Sequence, residues 1–310
     1  MRIVFMGTPE FAVPVLSALH EAGHEIALVI SQPDRPKGRG RKLEPTPVKQ
    51  KALDLGLNVF QPDKIRKPEA IEAVAAIKPE LAVVAAFGQI LPKAVLDIPV
   101  RGCLNTHASL LPAYRGAAPI NWAIINGEVK TGVTIMQMDV GMDTGDMLLK
   151  AEEPILPDDT AGTLTERLSK IGAALIVKAI EELEAGRLIT VKQDPALATS
   201  APLLKKELGL VDWGKSAPEI ERLMRGLDPW PGAYTSRGPD VLKLWKAGVA
   251  SMDGDGDPGS VADANREGIF VNTGCGVLVI KELQGTGGRR MTAPEYLAGH
   301  KILKGERLGQ

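Results

Sequence analysis

The sequence predicts an α/β protein in two parts. A parallel sheet with helices on both faces occupies residues 1–189, and a smaller, mainly β domain occupies residues 207–310, with a linker at 190–206. Three observations carry this. Short apolar runs alternate with stretches of helical periodicity through the first 190 residues, the pattern of repeated βα units. Periodicity fades between Leu188 and Lys206, where Pro195, Ala198, Thr199, Ser200 and Pro202 gather, as in connecting segments. Beyond that point, short alternating runs are separated by Gly- and Asp-rich turns, which fits a small barrel.

Taken in order, Ile3–Met6 and Ile26–Ile30 are apolar strand candidates with an alanine-rich helical stretch between them. Val59-Phe60, Leu81–Phe87 and Val133–Met138 supply further strands. Pro68–Ile77 reads as a helix opened by proline, with Ile71, Val74 and Ile77 on one side. Pro119–Asn126 reads as another, stopped by Gly127. Thr163-Leu-Thr-Glu166 has the form of a capping box opening a long helix, along which Leu164, Leu168, Ile171, Leu175 and Leu183 keep helical spacing. The first part is therefore Rossmann-like, and its ligands are expected beyond the carboxyl ends of the strands. In the second part, Ser216-Ala-Pro-Glu219 is a second capping box ahead of Ile220, Leu223, Met224 and Leu227, and Pro229-Trp230-Pro231-Gly232 ends that helix. Val241–Trp245, Ser260–Ala264, Ile269–Asn272 and Val277–Leu283 are its strand candidates.

Composition narrows the classes. At 310 residues, with 44 % hydrophobic and 24 % charged side chains, the chain can bury a sizeable core. A net charge of −1 gives no global field for a polyanion, so any nucleic-acid contact must come from a local patch. Cys103 and Cys275 lie far apart without metal-ligand spacing, which points to a reducing compartment. Arg2–Met6 reads as a strand from the start, leaving no room for a leader peptide, and no apolar run approaches the ~20 residues that span a bilayer. A cytoplasmic protein is expected.

The chemistry concentrates in two places. Cys103–His107 reads as a strand, where residues two apart share a face. Asn105 and His107 therefore project side by side, an amide and an imidazole suited to polarising a carbonyl and holding an oxyanion. Some thirty-five residues on, Gly141-Met-Asp143-Thr-Gly145-Asp146 offers a carboxylate in a turn. A Cys103–His107 dyad is excluded by roughly 13 Å of intervening strand. His20, His24 and His300 form no ligand cluster with His107, so no metal is expected. His20 and His24 are expected to be solvated near the end of the first helix. Gly7-Thr8-Pro9 lacks the later glycines of a dinucleotide loop, and Pro9 removes an amide that would bind phosphate. Residues 32–51 carry seven cations (Arg35, Lys37, Arg39, Arg41, Lys42, Lys49 and Lys51) against Asp34 and Glu44, a local net of +5. Their Pro and Gly content predicts a mobile surface loop able to order on a polyanion.

The runs Asn105-Thr-His107-Ala-Ser-Leu-Leu-Pro-Ala-Tyr-Arg115-Gly-Ala-Ala-Pro119-Ile and Val133-Thr-Ile-Met-Gln-Met-Asp139-Val-Gly-Met-Asp143-Thr-Gly-Asp146 resemble the two signatures of the folate-dependent formyltransferases. Gly7–Ala12, Asp34–Lys42 and Leu227–Ala233 match as well. The likeness is dense to about residue 190 and looser afterwards. It implies a formyltransferase domain over 1–189 and an OB-like, tRNA-binding domain over 207–310. It also implies Asn105, His107 and Asp143 as catalytic residues and 10-formyltetrahydrofolate as co-substrate. The acceptor it implies is the α-amino group of methionine on initiator methionyl-tRNA, for translation initiation; a small amine such as a nucleotide sugar is the alternative, and a non-catalytic RNA-binding module would leave the three residues without a role. Ser109, Leu110, Leu111 and Pro112, as an apolar loop with free backbone groups, are expected to hold the folate, with Phe87 and Gly88, and further Gln89–Pro92, in the same pocket. Arg35, Lys37, Arg39, Arg41, Lys42 and Lys206 are expected to contact tRNA. Lys205, Arg289, Arg290, Lys301, Lys304 and Arg307 could extend that track. A monomer is expected.

Overall fold

The structure is a computed structural model that describes residues 1–37 and 42–309. In chain order its strands are β1 (Arg2–Gly7), β2 (Glu25–Ile30), β3 (Arg35–Lys37), β4 (Lys42–Glu44), β5 (Val59–Phe60), β6 (Leu81–Ala85), β7 (Cys103–His107), β8 (Arg115–Gly116), β9 (Lys130–Gln137), β10 (Met147–Pro154), β11 (Ser200–Ala201), β12 (Ala233–Arg237), β13 (Asp240–Val249), β14 (Val261–Ala264), β15 (Ile269–Asn272), β16 (Val277–Gln284) and β17 (Met291–Thr292). Its α-helices are α1 (Ala12–Glu21), α2 (Pro47–Asp54), α3 (Pro68–Ile77), α4 (Lys93–Leu96), α5 (Pro119–Ile125), α6 (Ala161–Glu184), α7 (Ala217–Leu227) and α8 (Ala293–Gly299). Two compact units result: residues 1–119, 130–154 and 165–202, and residues 120–129, 155–164 and the chain from Leu203 onward.

The first unit holds a seven-stranded sheet in the order β10-β9-β7-β6-β1-β2-β5. The strands from β7 to β5 are parallel, whereas β9 runs antiparallel to β7 and β10 antiparallel to β9. The parallel sheet that the sequence predicts is thus present, extended at one end by two antiparallel strands. A loop of residues 138–146 joins β9 to β10, too short for the helical crossover that parallel neighbours need. The half-polar run Met147–Pro154 carries weak apolar alternation, which is why β10 escaped the strand assignment.

One face of this sheet, with Val4, Met6, Ile30, Ala82, Val84 and Cys103, packs on Ala70, Val74, Val95 and Leu96 of α3 and α4 and on Phe87 and Leu91. Each large aliphatic side chain buried there contributes roughly 1.5–3 kcal/mol. On the opposite face α6 approaches Thr106 so closely that a Cβ on Gly172 would stand 2.7 Å from its methyl group. Asn105 and His107 lie on the face of Cys103, at the carboxyl end of β7.

α3 and the capping box of Ser216 and Glu219 are as the sequence predicts. The long helix starts earlier than its predicted box: Thr160 and Thr163 exchange side-chain bonds to each other's backbone amides at 3.0 and 3.2 Å. The cap therefore lies one turn upstream of Thr163–Glu166. Within the cationic segment, β3 and β4 pair antiparallel as Arg35↔Glu44, Pro36↔Leu43 and Lys37↔Lys42, so a hairpin base replaces the expected structureless loop. That base is pinned by Gln61, whose Nε2 donates to the Gln32 carbonyl and to Asp34 Oδ1, each at 2.7 Å, and by a Lys49–Asp34 ion pair.

The segment expected as a linker carries structure of its own. Val191 bridges Met147, Pro195–Leu197 form a 3₁₀ turn, and β11 pairs parallel with β8. Residues 191–201 are fastened into the first unit by hydrogen bonds that no helical or strand periodicity announces.

The second unit is built on an antiparallel sheet in the order β12-β13-β16-β15-β14, with β17 on β16, around a core that includes Trp213, Ile220, Met224, Leu244, Ile280 and Leu283. The segment 305–309 runs between β14 and β12. Val261 N–H donates to Glu306, Leu308 N–H to Gly259, and Gly309 N–H to Ser236, each at 2.8 Å. The C-terminal chain therefore joins the two outer strands through its own backbone. Strand β12 and helix α8, the latter opened by a Thr292–Glu295 capping box, were not anticipated. No helix among the described residues is long and apolar enough to cross a membrane.

Candidate active site

His107 ends β7, and its position is set at both ring nitrogens. Nε2 lies 3.0 Å from the Tyr114 carbonyl; a carbonyl only accepts, so Nε2 carries the hydrogen. Nδ1 then faces Asp143, whose Oδ2 is 3.7 Å away. The same Oδ2 accepts the Gly116 N–H at 2.8 Å. The imidazole side chain is 6 % and the carboxylate 17 % exposed, so both sit largely out of water while the carboxylate keeps an open edge. Two residues earlier on the same face, Asn105 is buried, at 9 % exposure, beside the imidazole.

The backbone around this group is strained. Tyr114, Asp143 and Ala86 take left-handed φ values of 59°, 53° and 45°, each costing of order 1 kcal/mol or more for a non-glycine residue, and such residues concentrate at functional sites. Asp143 lies between Gly141 and Gly145. A Cβ on Gly145 would stand 1.8 Å from the Gln137 carbonyl, so the turn closes only with glycine there. Asp139 braces the same loop, its Oδ1 accepting from Gly141 N–H at 3.0 Å and Thr144 Oγ1 at 2.7 Å.

Two hollows open in the first unit. A cleft of about 330 Å³ is lined by Gln89, Ile90, Leu91, Met136, Met138 and residues 139–143; its walls are mainly apolar, with Gln89, Asp139 and Asp143 as their polar members. A second hollow of about 610 Å³ lies where the chain order reverses between β1 and β6, lined by Thr8–Glu10, Gln32, Pro33, Arg35, Pro36, Glu44–Pro47 and Ala86–Gly88. Such reversal points, outside the carboxyl ends of the strands, are where open α/β sheets bind ligands.

The structure brings His107 and Asp143 together and sets Asn105 beside them. Phe87 and Gly88 border the larger hollow, and Arg35 lines it. The loop 109–112 is placed differently from expectation. Ser109 and Leu111 are fully buried. Thr134 Oγ1 donates to the Ser109 carbonyl at 2.7 Å and accepts the Leu111 N–H at 3.1 Å, and Lys150 donates to the Leu111 carbonyl. Backbone groups expected to be free for a ligand are used inside the protein, leaving half-buried Leu110 and Pro112 as the accessible part. Leu111 instead packs behind Met136, which faces the cleft. Lys37 and Lys42 lie in the paired hairpin strands, Arg39 and Arg41 lie outside the described residues, and Lys206 is exposed in a 3₁₀ turn of the second unit.

Burial pushes the Cys103 thiol up to about 12, with Asp97 adding to the shift, so no nucleophilic thiolate is available in β7. Among the described residues no group of three His, Cys, Asp or Glu side chains could hold a metal ion. Residues that sequence reasoning missed are Tyr114, Gly116, Gln193 and Thr199. Gln193 is 9 % exposed, with Nε2 donating to the Asp143 and Gly145 carbonyls at 2.7 Å each, and Oε1 accepting from Arg115 Nε and Nη2 at 3.0 and 2.8 Å.

A Rossmann-like mixed sheet, with an amide, an imidazole and a carboxylate gathered at the carboxyl end of β7, thus precedes a small antiparallel β unit in the chain. The chain belongs to the formyl transferase family: the formyl transferase model matches residues 1–180, and the model of the formyl transferase C-terminal domain matches residues 203–301. It is 53 % identical over 310 residues to the methionyl-tRNA formyltransferase of Geotalea uraniireducens (strain Rf4), covering 100 % of this chain and 98 % of that protein. In fold it is similar to WlaRD, a sugar 3N-formyl transferase crystallised with dTDP and 5-N-formyl-THF. That match has a TM-score of 0.69 and 20 % identity over 93 % of this chain and 99 % of that one. It is also similar to HypX from Aquifex aeolicus in complex with tetrahydrofolic acid, with a TM-score of 0.66 and 21 % identity over 96 % of this chain and 47 % of that one.

Proposed function

We propose that this chain transfers the formyl group of 10-formyltetrahydrofolate to the α-amino group of methionine on initiator methionyl-tRNA, in the cytoplasm, as a step of translation initiation. His107 Nδ1 facing Asp143 Oδ2 at 3.7 Å, with the Asn105 amide two residues away on the same strand face, is the observation that carries the chemistry. Full-length identity of 53 % to a methionyl-tRNA formyltransferase favours the tRNA acceptor over the sugar amine, whose structural counterpart is 20 % identical.

The amine nitrogen attacks the formyl carbon, and the carbonyl electron pair moves to oxygen. The Asn105 side-chain N–H donates to that oxygen; removing one such donor typically costs ~3–4 kcal/mol of transition-state stabilisation. His107 Nε2–H is committed to Tyr114, so Nδ1 is the atom that meets the developing charge, as a donor when the ring is the imidazolium, with the Asp143 carboxylate complementing its charge. Asp143, held by the Gly116 amide, also takes the proton leaving the nitrogen. Collapse of the tetrahedral intermediate breaks the bond to folate N10, which takes a proton as the amide forms. Free α-amino groups titrate near ~7.7–8.0, so alignment matters more than a strong base.

The apolar cleft of Gln89–Leu91 and residues 136–143 suits the flat pterin and its aryl extension, with the 109–112 loop as its backing and Leu110 and Pro112 at its margin. Arg35, which lines the larger hollow, and Lys37, Arg39, Arg41 and Lys42 would meet the acceptor end of the tRNA, and Lys206 and the second unit would bind more of its length. Formyl-labelled 10-formyltetrahydrofolate, offered separately with methionyl-tRNA and with a nucleotide-linked amino sugar, tests the reading. Label recovered as N-formylmethionine on tRNA supports it; label on the sugar alone overturns it.

A further inference from the structure

We infer that residues 191–201 are a brace that positions the His107–Asp143 pair, with Gln193 the positioning residue for Asp143 and Thr199 the positioning residue for the turn that holds His107. This rests on the roles proposed above for the pair.

The bonding of Gln193 has one consistent orientation. Its Oε1 receives two N–H groups from the Arg115 guanidinium, and its Nε2 gives one hydrogen to the Asp143 carbonyl and the other to that of Gly145. Guanidinium only donates and carbonyls only accept, so the amide cannot be reversed. Both carbonyls belong to the turn in which Asp143 takes its φ of 53°. A left-handed aspartate persists only where its surroundings over-determine it, and a buried amide gripping the carbonyls on either side of Thr144 does so.

The same segment reaches the histidine side. Thr199 Oγ1 accepts the Tyr114 N–H at 2.8 Å, and the Thr199 carbonyl accepts the Arg115 N–H at 2.8 Å. Tyr114, at a φ of 59°, presents the carbonyl that fixes His107 Nε2. β11 pairs with β8, register Ala201↔Gly116, and Gly116 supplies the amide bound to Asp143. One short segment thus holds the carboxylate through its backbone turn and the imidazole through its carbonyl partner, without itself touching the reacting atoms.

The test is steady-state formyl transfer by the full chain carrying Gln193→Leu, alone and with Asp143→Asn, together with Thr199→Val and Thr199→Ser. Misplacing a catalytic group by about 1 Å costs on the order of 100-fold. Gln193→Leu is therefore expected to lower kcat by about that factor with little change in KM for either substrate, and to add little to the loss from Asp143→Asn. Thr199→Ser should restore most of the turnover that Thr199→Val loses. A crystal structure of Gln193→Leu should show Asp143 out of its left-handed turn and farther from His107. Turnover within twofold of wild type in both Gln193→Leu and Thr199→Val, or a Gln193 effect that multiplies fully with that of Asp143→Asn, overturns the inference. If Gln193→Leu does not fold, the Thr199 pair decides. A wild-type chain inactive towards methionyl-tRNA contradicts the proposed function instead, and the Asp143 geometry in the variant crystal still decides for or against the brace.

Discussion

Asp143 Oδ2 stands 3.7 Å from His107 Nδ1 while accepting a 2.8 Å hydrogen bond from the Gly116 amide. The carboxylate is therefore anchored by backbone and turned towards the imidazole, rather than spent in a closed ion pair. Its left-handed backbone and the steric demand at Gly145 make this placement specific to the 138–146 loop.

Gly145→Ala should separate loop geometry from folding. The added methyl would meet the Gln137 carbonyl at 1.8 Å, so the turn must open and Asp143 must move. Turnover should fall by about 10-fold or more, with the thermal midpoint of the second unit unchanged. Steady-state kinetics beside a calorimetric scan checks this, and a fully active Gly145→Ala enzyme would show that Asp143 does not need this turn.

The cationic hairpin has a charge-dependent base. The Gln61 amide, then the Lys49 ammonium, hold the Asp34 carboxyl below its ordinary value of 3.8. A folded value below the unfolded one means that the stabilisation is present above pH 3.8 and is lost as pH falls through the lowered folded value. Amide exchange at Arg35 and Glu44, which pair across the hairpin base, should remain slow above pH 4 and accelerate, beyond its intrinsic pH dependence, as acid protonates Asp34. In Asp34→Asn that added acceleration should be absent.

Neutralising Arg39 and Arg41 together should weaken tRNA binding and flatten its dependence on salt, by about 1 unit of log–log slope for each phosphate no longer neutralised, while folate affinity holds. Titrations at several salt concentrations read this directly. An unchanged slope removes these arginines from recognition.

In the second unit, Ser216→Ala removes the side chain that accepts the Glu219 amide at the start of α7. Loss of such a cap costs about 1 kcal/mol, and denaturant unfolding should show that decrease while formyl transfer is retained.

What could be read in the sequence follows the range of the signals. Proline-opened α3, the Ser216 box and the apolar runs of β1, β2, β6 and β15 are written in local periodicity and capping, and the structure reproduces them. Asn105 and His107 were placed side by side by strand alternation alone. The remainder depends on contacts distant in sequence. Gln193 lies fifty residues from Asp143 in a stretch with no apolar period, and its role arises from where β11 meets β8. The 109–112 loop read as apolar and free because nothing nearby reveals that Thr134, on β9, takes up its backbone. Strand β10, half polar, is defined by its antiparallel partner more than by its own residues.

Single-turnover transfer of labelled formyl to methionyl-tRNA by Asn105→Ala, with folate affinity measured on the same preparation, tests the central claim most directly. The proposed chemistry predicts a rate lower by about 10²–10³ with folate binding intact, as for loss of an oxyanion donor. A rate near that of the wild type would contradict it.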